Sequence, residues 1–451
     1  MNKMKETMMK MTQMNMKAMN STTSMEFKQW FVGFSDAEGM FMLSPYYSKD
    51  KLKIKSWSFM YSVTLHIDDI QTLKTIKENL NLTKEVTLDI NENLCRLRIQ
   101  SKEELMLLMR IFDEFPLNTT KYLNYLDFKR AFNLYYRTKI RTYELDKELL
   151  NIKNMMNNKR TDFDINNYVK YGADATTWDN HIKINRYWLL GMVEGDGSFN
   201  YSREEAVPTF MIMLTETEKC LLYSIKDFLK NNLGFDKYSL MMIENSPVIG
   251  VRYQKGRMNS KPTWHLKIKN RRVLYTYLIP FFDNMTFFSK KNESYQIWRM
   301  LCLAVYSGIY TDPKIKHWLT LLSYNMNSFS LSTYNDKMYK NDSRAERVMI
   351  SEEIKQNIIN EANNNPKVKY LKDGRVMNLD TNKIIHSYGS SMYMVKNGEE
   401  IKVFYSLLDC AKYLNIMSTT LSRNLILSDS SWQWVKKAKV FVRRMPTFQK
   451  D

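Results

Sequence analysis

Basic and apolar residues alternate along three short stretches, KLKIK (51–55), CRLRI (95–99) and HLKIK (265–269). The period is the two residues that a half-buried β-strand requires. Each stretch predicts a strand with one apolar face turned to a core. The opposite, positive face carries Lys51, Lys53, Lys55, Arg96, Arg98, Lys267 and Lys269. Elsewhere the period lengthens. YSVTLHIDDIQTLKTIKENL (61–80) and FMIMLTETEKCLLYSIKDFL (210–229) both pass from a short strand pattern into a helical one. LNTTKYLNYLDFKRA (117–131) and FSKKNESYQIWRML (288–301) read as helices.

These stretches come in two sets because the chain carries an internal repeat. Residues 30–43 read WFVGFSDAEGMFML and residues 188–201 read WLLGMVEGDGSFNY. Each opens on Trp, has Gly three positions on, then an acid, a second acid followed by Gly, and an aromatic two positions later. The copies stand 158 residues apart at the second acids (38 to 196) and 170 apart at a later aromatic (128 to 298). Each copy predicts helix, two strands, helix, two strands, helix, which makes the chain α+β with two pseudo-symmetric αββαββα halves. A basic face on one strand would be an ordinary solvated surface. Its recurrence in both copies points to nucleic acid.

The remaining chain divides around the repeat. Residues 1–24, rich in Met and Lys, read as a mobile tail, with neither a secretory nor a typical transit pattern. Starting without membrane spans, the chain reads as a free-standing frame or a processed product. Residues 25–138 form the first half, 139–185 an Asn/Lys/Asp-rich surface linker, 186–302 the second half and 303–365 a helical connector ending near EANNNP. Residues 366–451 hold 15 Lys and Arg against 7 Asp and Glu. There, Ser406 and Asp409 suit a capping box, Asn415 and Ile416 a turn, and Ser418 a second cap. That layout is helix-turn-helix-like, fitting either a small DNA reader or two packed helices.

Composition narrows the function classes. Of 451 residues, 67 are Lys or Arg and 48 Asp or Glu, a net +19, which attracts polyanions. No apolar run approaches the ~20 residues of a membrane span. Four dispersed cysteines support neither a disulfide framework nor a zinc finger, and five dispersed histidines disfavour a nuclease built on clustered histidine ligands. Thirty-two methionines, many where Ile would serve, suit an AT-rich organellar gene read in a variant code. Two further patterns fail: Gly308-Ile309-Tyr310 has no YIG partner, and the Gly250–Gly256 gap lacks the lysine of a P-loop.

FVGFSDAEG and LLGMVEGDG carry the chemistry. Gly33 with Ala37, and Gly191 with Gly195, put small residues four apart, so two helices can approach closely. Glu38 and Asp196 then stand at the negative ends of two helix dipoles, each followed by a glycine (Gly39, Gly197) suited to a left-handed helix stop. Paired helices would bring the carboxylates together at a cost of roughly 0.3–1 kcal/mol per end. A shared proton or bound Mg²⁺ would offset it, and metal between acids and phosphate is the chemistry of phosphodiester hydrolysis.

These motifs resemble the two signatures of the LAGLIDADG homing endonucleases and maturases of organellar introns. The resemblance covers residues 26–302 and includes VTLHIDD, RLRIQSKEEL and FFSKKNESYQIW. It implies a monomer whose signature helices form the central interface and whose two sheets straddle double-stranded DNA in the major groove. It implies Glu38 and Asp196 as catalytic metal ligands with Mg²⁺; the earlier acids of each motif, Asp36 and Glu194, read as mainly structural. The family's active-site lysine suggests Lys290, whose first-half counterpart is Thr120 with Lys121 beside it. VFYSLLDCAKYLNIMSTTLSRNL resembles the modular DNA-binding helices appended to such enzymes and singles out Arg423.

The leading expectation is a sequence-specific, Mg²⁺-dependent double-strand DNA endonuclease of mitochondrial type. Its alternative is a maturase that binds group I intron RNA, with or without cleavage. A third reading is a non-cleaving DNA-binding regulator.

Overall fold

A computed structural model describes residues 24–50, 53–138, 140–235, 248–256, 260–326, 350–370, 376–385, 392–404, 407–425 and 431–445. The tail up to residue 23, Lys51 and Ser406 lie outside the described residues. Contacts divide the chain into two units, residues 1–196 with 287–290, and residues 197–286 with 291–451.

In the first unit α1 (Met25–Glu38) runs directly into β1 (Gly39–Tyr47). Then follow β2 (Ile54–His66), α2 (Ile70–Asn79), β3 (Thr87–Asp89), β4 (Leu94–Ile99), α3 (Lys102–Glu114), α4 (Lys121–Arg137), α5 (Tyr143–Met155), the one-turn α6 (Trp178–His181) and α7 (Arg186–Asp196). Local chemistry sets the helix starts: the Phe27 amide donates to the Ser24 hydroxyl at 3.1 Å, and the Glu104 amide donates to Ser101 at 3.3 Å. Glu103 and Glu104 occupy the first turn of α3, where the helix dipole favours them. The helix then buries Leu105, Leu108, Met109, Ile111 and Phe112 along one stripe.

That stripe meets an antiparallel sheet of order β1-β2-β4-β3. Pairing of Phe41 with Tyr61 and Leu43 with Phe59 puts these side chains on the buried face, where Phe41 packs within 5.6 Å of Tyr61, Phe112, Tyr125 and Phe128. Each such buried ring contributes about 1.5–3 kcal/mol. Met40, Met42 and Ser44 pair with Ser62, Met60 and Ser58 on the open face.

Two expectations change here. The second strand pair is followed by two helices, α3 and α4, rather than one. Residues 139–185, read as a linker, fold into α5, α6 and a 3-10 segment, burying Leu149, Ile152, Met156, Ile165 and Tyr168. The guanidinium of Arg160 pairs there with Asp127, both side chains 2% exposed or less. A few apolar anchors at helical spacing suffice to dock a segment whose overall composition is polar.

The second unit contains β5 (Gly197–Ser202), β6 (Val207–Thr215), α8 (Lys219–Asn232), β7 (Ile249–Gln254), β8 (Thr263–Ile268), α9 (Ile279–Asp283), α10 (Lys291–Ser307), α11 (Pro313–Tyr324), α12 (Glu352–Asn364), β9 (Val368–Tyr370), β10 (Val376–Asn378), β11 (Ile384–Ile385), β12 (Met392–Asn397), β13 (Glu400–Phe404), α13 (Leu407–Tyr413), α14 (Ser418–Asn424), β14 (Gln433–Val435) and β15 (Val440–Met445). Its first sheet, β5-β6-β8-β7, repeats the order of the first unit. Phe199, Phe210, Ile212, Leu266 and Ile268 face its core.

The C-terminal module holds the expected helix pair. Asn415 takes φ 51° at the turn, its amide donating to the Lys412 carbonyl. Ser418 is the first helical residue rather than the cap, which is Met417 without a side-chain hydrogen bond. The helices are not free-standing. Cys410, Ala411 and Leu421 pack on Val395, Val435 and Val442 of a four-stranded sheet, β13-β12-β15-β14. Among the described residues no helix is long and apolar enough to cross a membrane.

Candidate functional site

Helices α1 and α7 of the first unit touch backbone to backbone. A Cβ on Gly33 would stand 2.0 Å from the Trp188 carbonyl oxygen, and one on Gly191 2.1 Å from that of Trp30. No side chain can give way there, so only glycine fits. One turn on, a Cβ on Gly195 would lie 2.2 Å from the Ala37 Cβ and 3.4 Å from the Glu38 Cγ. The helix ends therefore meet, and Glu38 lies against the residue that precedes Asp196.

The two acids of each motif have different surroundings. Asp36 is buried and accepts four hydrogen bonds: from the Asn118 amide (2.8 Å), the Thr119 amide (2.9 Å), the Thr119 hydroxyl (2.5 Å) and the Trp188 indole (2.8 Å). Glu194 mirrors it, accepting from the Trp30 indole (2.8 Å) and the amides of Phe288 (3.0 Å) and Ser289 (2.5 Å). Each indole thus crosses to the acid of the opposite helix. Each acid also holds the chain ahead of a following helix. Burial pushes both carboxyls above their ordinary pKa, against donors that favour the anion.

Glu38, by contrast, is half-buried and Asp196 exposed. Neither following glycine adopts the expected left-handed conformation. Gly39 is extended, with φ −73° and ψ 149°, and opens β1. Its requirement is space, since a Cβ would come within 2.8 Å of both the Ser35 carbonyl and the Tyr61 hydroxyl. Gly197 likewise begins a strand, without positive φ. Tyr61 and Ser35 share a 2.6 Å hydrogen bond beneath this joint.

Two lysines reach the same kind of position. Lys121 donates to the carbonyls of Ser35 (3.1 Å) and Ala37 (2.9 Å), and Lys291, in the second unit, donates to that of Gly197 (2.7 Å). The Lys121 ammonium complements the negative dipole end of α1. Lys290 points elsewhere, its Nζ 3.7 Å from the Asp68 carboxylate. The pairing of Lys121 with Lys291 was present in the sequence. Both precede by four residues a tyrosine, Tyr125 and Tyr295, that donates to a carbonyl and to an aspartate twelve residues upstream. The shared offset of 170, from 121 to 291 and from 125 to 295, matches the lysines.

The positive strand face is only partly as expected. Arg98, opposite Ser62, and Arg96, opposite Thr64, lie on the open face of the first sheet. Arg96 is tied to Asp89 at 2.7 Å and also to Glu92, which neutralises part of its charge. Lys53 precedes β2, and Lys55 falls in a bulge where Tyr46 pairs Ser56 and Tyr47 pairs Ile54. Both are exposed but neither joins the arginine row, because the bulge shifts the pairing. In the second sheet Lys267 lies on the open face beside Met211, while exposed Lys269 follows the end of β8. The alternation of IGVRYQ could have revealed Arg252, which pairs His265 on that same face. His265 is buried, and burial followed by the nearby Lys267 holds its imidazole below the usual value. Arg423 is exposed in the last turn of α14.

Among the described residues no group of three or more His, Cys, Asp or Glu side chains could by itself hold a metal ion. Glu38 and Asp196, at helix ends that meet, offer hard carboxylate oxygens. That donor set fits Mg²⁺, which commonly takes one or two carboxylates and completes its shell with water and phosphate oxygens.

Comparison with known proteins accords with this geometry. The sequence model of the LAGLIDADG endonuclease family matches residues 31–132 and 189–302. The uncharacterized mitochondrial protein RF1 of Saccharomyces cerevisiae is 26% identical over 67% of this chain and 60% of its own length. The probable intron-encoded endonuclease Cox1-I1b of Schizosaccharomyces pombe is 27% identical over 62% and 65%. The chain thus spans less than two thirds of these relatives. Solved structures of I-SmaMI bound to uncleaved DNA with calcium and of the meganuclease I-CpaMI bound to uncleaved DNA both align with a TM-score of 0.53. They are 20% and 19% identical and cover 66% of this chain, with 98% and 99% of theirs. At that identity the likeness is one of fold.

Proposed function

The chain belongs to the LAGLIDADG endonuclease family, and from this premise we propose that it hydrolyses one phosphodiester bond in each strand of a specific duplex DNA. The observation that carries the proposal is the meeting of Glu38 with the end of α7 at a backbone contact only glycine permits. In this reading Glu38 and Asp196 hold Mg²⁺. The metal, when bound, supplies Lewis acidity and a water of lowered pKa. Glu38 and Asp196 would provide its anionic oxygens beside the scissile phosphate. Lys121 holds the end of α1 and Lys291 the start of β5, each adding positive charge there. Lys290 remains a candidate for phosphate contact.

Arg98, Lys267 and the neighbouring polar positions of each open sheet face would contact phosphates and base edges. Lys53, Lys55, Lys269 and Arg423 would add phosphate contacts, and Arg96 contributes less because of its acidic partners. Affinity for duplex should then fall steeply with salt, with a log–log slope of about −0.9 per phosphate neutralised. The names of the fungal relatives favour a mitochondrial setting.

The test is cleavage of host-gene DNA that lacks the inserted intron, by purified protein in Mg²⁺. Glu38→Gln and Asp196→Asn should each lower the rate by about 10²–10³ or more, with folding intact. Undiminished cutting by either variant, or none by the parent protein, would refute the assignment.

A further inference from the structure

The C-terminal module presents a second surface, unconnected with phosphodiester cleavage. One face of its β13-β12-β15-β14 sheet is closed by α13 and α14. On the other face the strand pairing sets Ile401, Lys396, Phe441 and Trp434 in one row across all four strands. A solvent-facing sheet surface ordinarily carries polar side chains. Here Trp434 is 51% exposed and Phe441 44%, their ring centroids 4.9 Å apart and the rings tilted by 59°. The turn that joins their strands reads Lys436-Lys437-Ala438-Lys439, and its three lysines are exposed.

This combination selects its ligand. Exposed aromatic faces seek flat apolar partners, and a triple-lysine turn beside them seeks repeated negative charge. Unpaired nucleotides supply both, whereas a duplex hides its base faces in the stack. Residues 392–445 carry nine Lys and Arg against four Asp and Glu, so the module is electrostatically complementary to a polyphosphate. An acidic protein surface would leave the two rings without purpose, and an apolar one would leave the lysines so.

We propose that this sheet face binds single-stranded nucleic acid, with Trp434 and Phe441 stacking on unpaired bases and the Lys436–Lys439 turn holding the backbone. The site is distinct from the helix pair of the same module and does not depend on the nuclease reading.

The full-length protein would be titrated with fluorescein-labelled single strands of about 15 nucleotides, one of RNA and one of DNA, and with the matching duplex. In the double variant Trp434→Ala plus Phe441→Ala, single-strand affinity should fall roughly tenfold or more, while duplex affinity and thermal midpoint stay put. Trp434→Tyr should keep most of the binding, which guards against a folding defect. Replacing the three turn lysines by Gln should make the log–log salt slope shallower by up to about two, at roughly 0.7 per phosphate. A preference between the RNA and DNA arms would tell which strand is the natural ligand. Unchanged single-strand affinity in the double variant would overturn the proposal. So would an equal loss for duplex, or a change in oligomeric state without loss of single-strand binding, which would mark a self-interface.

Discussion

The buried and the outward sides of the last turn of the paired helices α1 and α7 hold the same residue types in different roles. Asp36 and Glu194 sit two residues before the helix ends, buried and bound by backbone amides and by each other's tryptophan. Glu38 and Asp196 stand two residues later, where the helices end and solvent begins. Two residues turn a helix by about 200°, enough to send one carboxylate into the core and leave the next outside. The inner acids organise the polypeptide by holding the Asn118, Thr119, Phe288 and Ser289 amides, while the outer acids stand at the less buried helix ends. Residue identity does not separate the roles; position on the helix does.

The largest break in this comparison would come from Gly33→Leu or Gly191→Leu. Each forces a side chain into the opposite backbone, where 2.0 and 2.1 Å are available to a Cβ alone. The expected cost exceeds about 4–5 kcal/mol, among the largest for single substitutions. Circular dichroism and thermal unfolding should show loss of the cooperative first unit. A variant that melts like the parent would mean that the helices are not in backbone contact.

A sharper cut exchanges the two acids' effects. Asp36→Asn removes an acceptor of four hydrogen bonds and turns an amide donor toward donors, costing about 1–3 kcal/mol, whereas Glu38→Gln should leave stability nearly unchanged. The pH dependence gives the sign. Asp36 is raised above 3.8 in the folded state, so its contribution is full below that value and is lost as pH rises through the folded pKa. The stability gap between parent and Asp36→Asn should therefore narrow as pH increases from about 4 toward neutrality. Denaturant titrations across that range measure it, and a gap that widened would show that the four donors outweigh burial.

Much of this architecture was legible in the chain. Trp, Gly and two acids recurring at matched spacing gave away the helix pair, and strict alternation gave β4 and β8. What stayed hidden depended on contacts far apart in sequence. Trp30 and Glu194 are 164 positions apart, and nothing local indicates that an indole of one copy serves the acid of the other. Lys55 was misplaced because a single bulged residue undoes a period-two argument. The C-terminal sheet escaped because β14 has three residues and β13 five, too short for periodicity to speak. Docking of residues 139–185 escaped because burial there rests on scattered residues such as Ile152 and Tyr168.

The smallest expected effect tests whether the two copies are equivalent beneath their helix ends. In the first copy Ser35 and Tyr61 share a hydrogen bond below Gly39. At the matching places the second copy has Val193 and Phe210, as the parallel pairings of Tyr61 with Phe41 and Phe210 with Phe199 indicate. Tyr61→Phe should cost only about 0.5–1.5 kcal/mol, because the Ser35 hydroxyl can turn to a carbonyl of its own helix. The reverse change, Phe210→Tyr, should cost more, about 1–3 kcal/mol, since it puts a hydroxyl on a fully buried ring packed against Phe199 and Phe282. Equal losses would mean that both joints tolerate a hydroxyl alike. Unequal losses would mean that one backbone plan has been filled twice with different chemistry, so that the two joints can be altered one at a time.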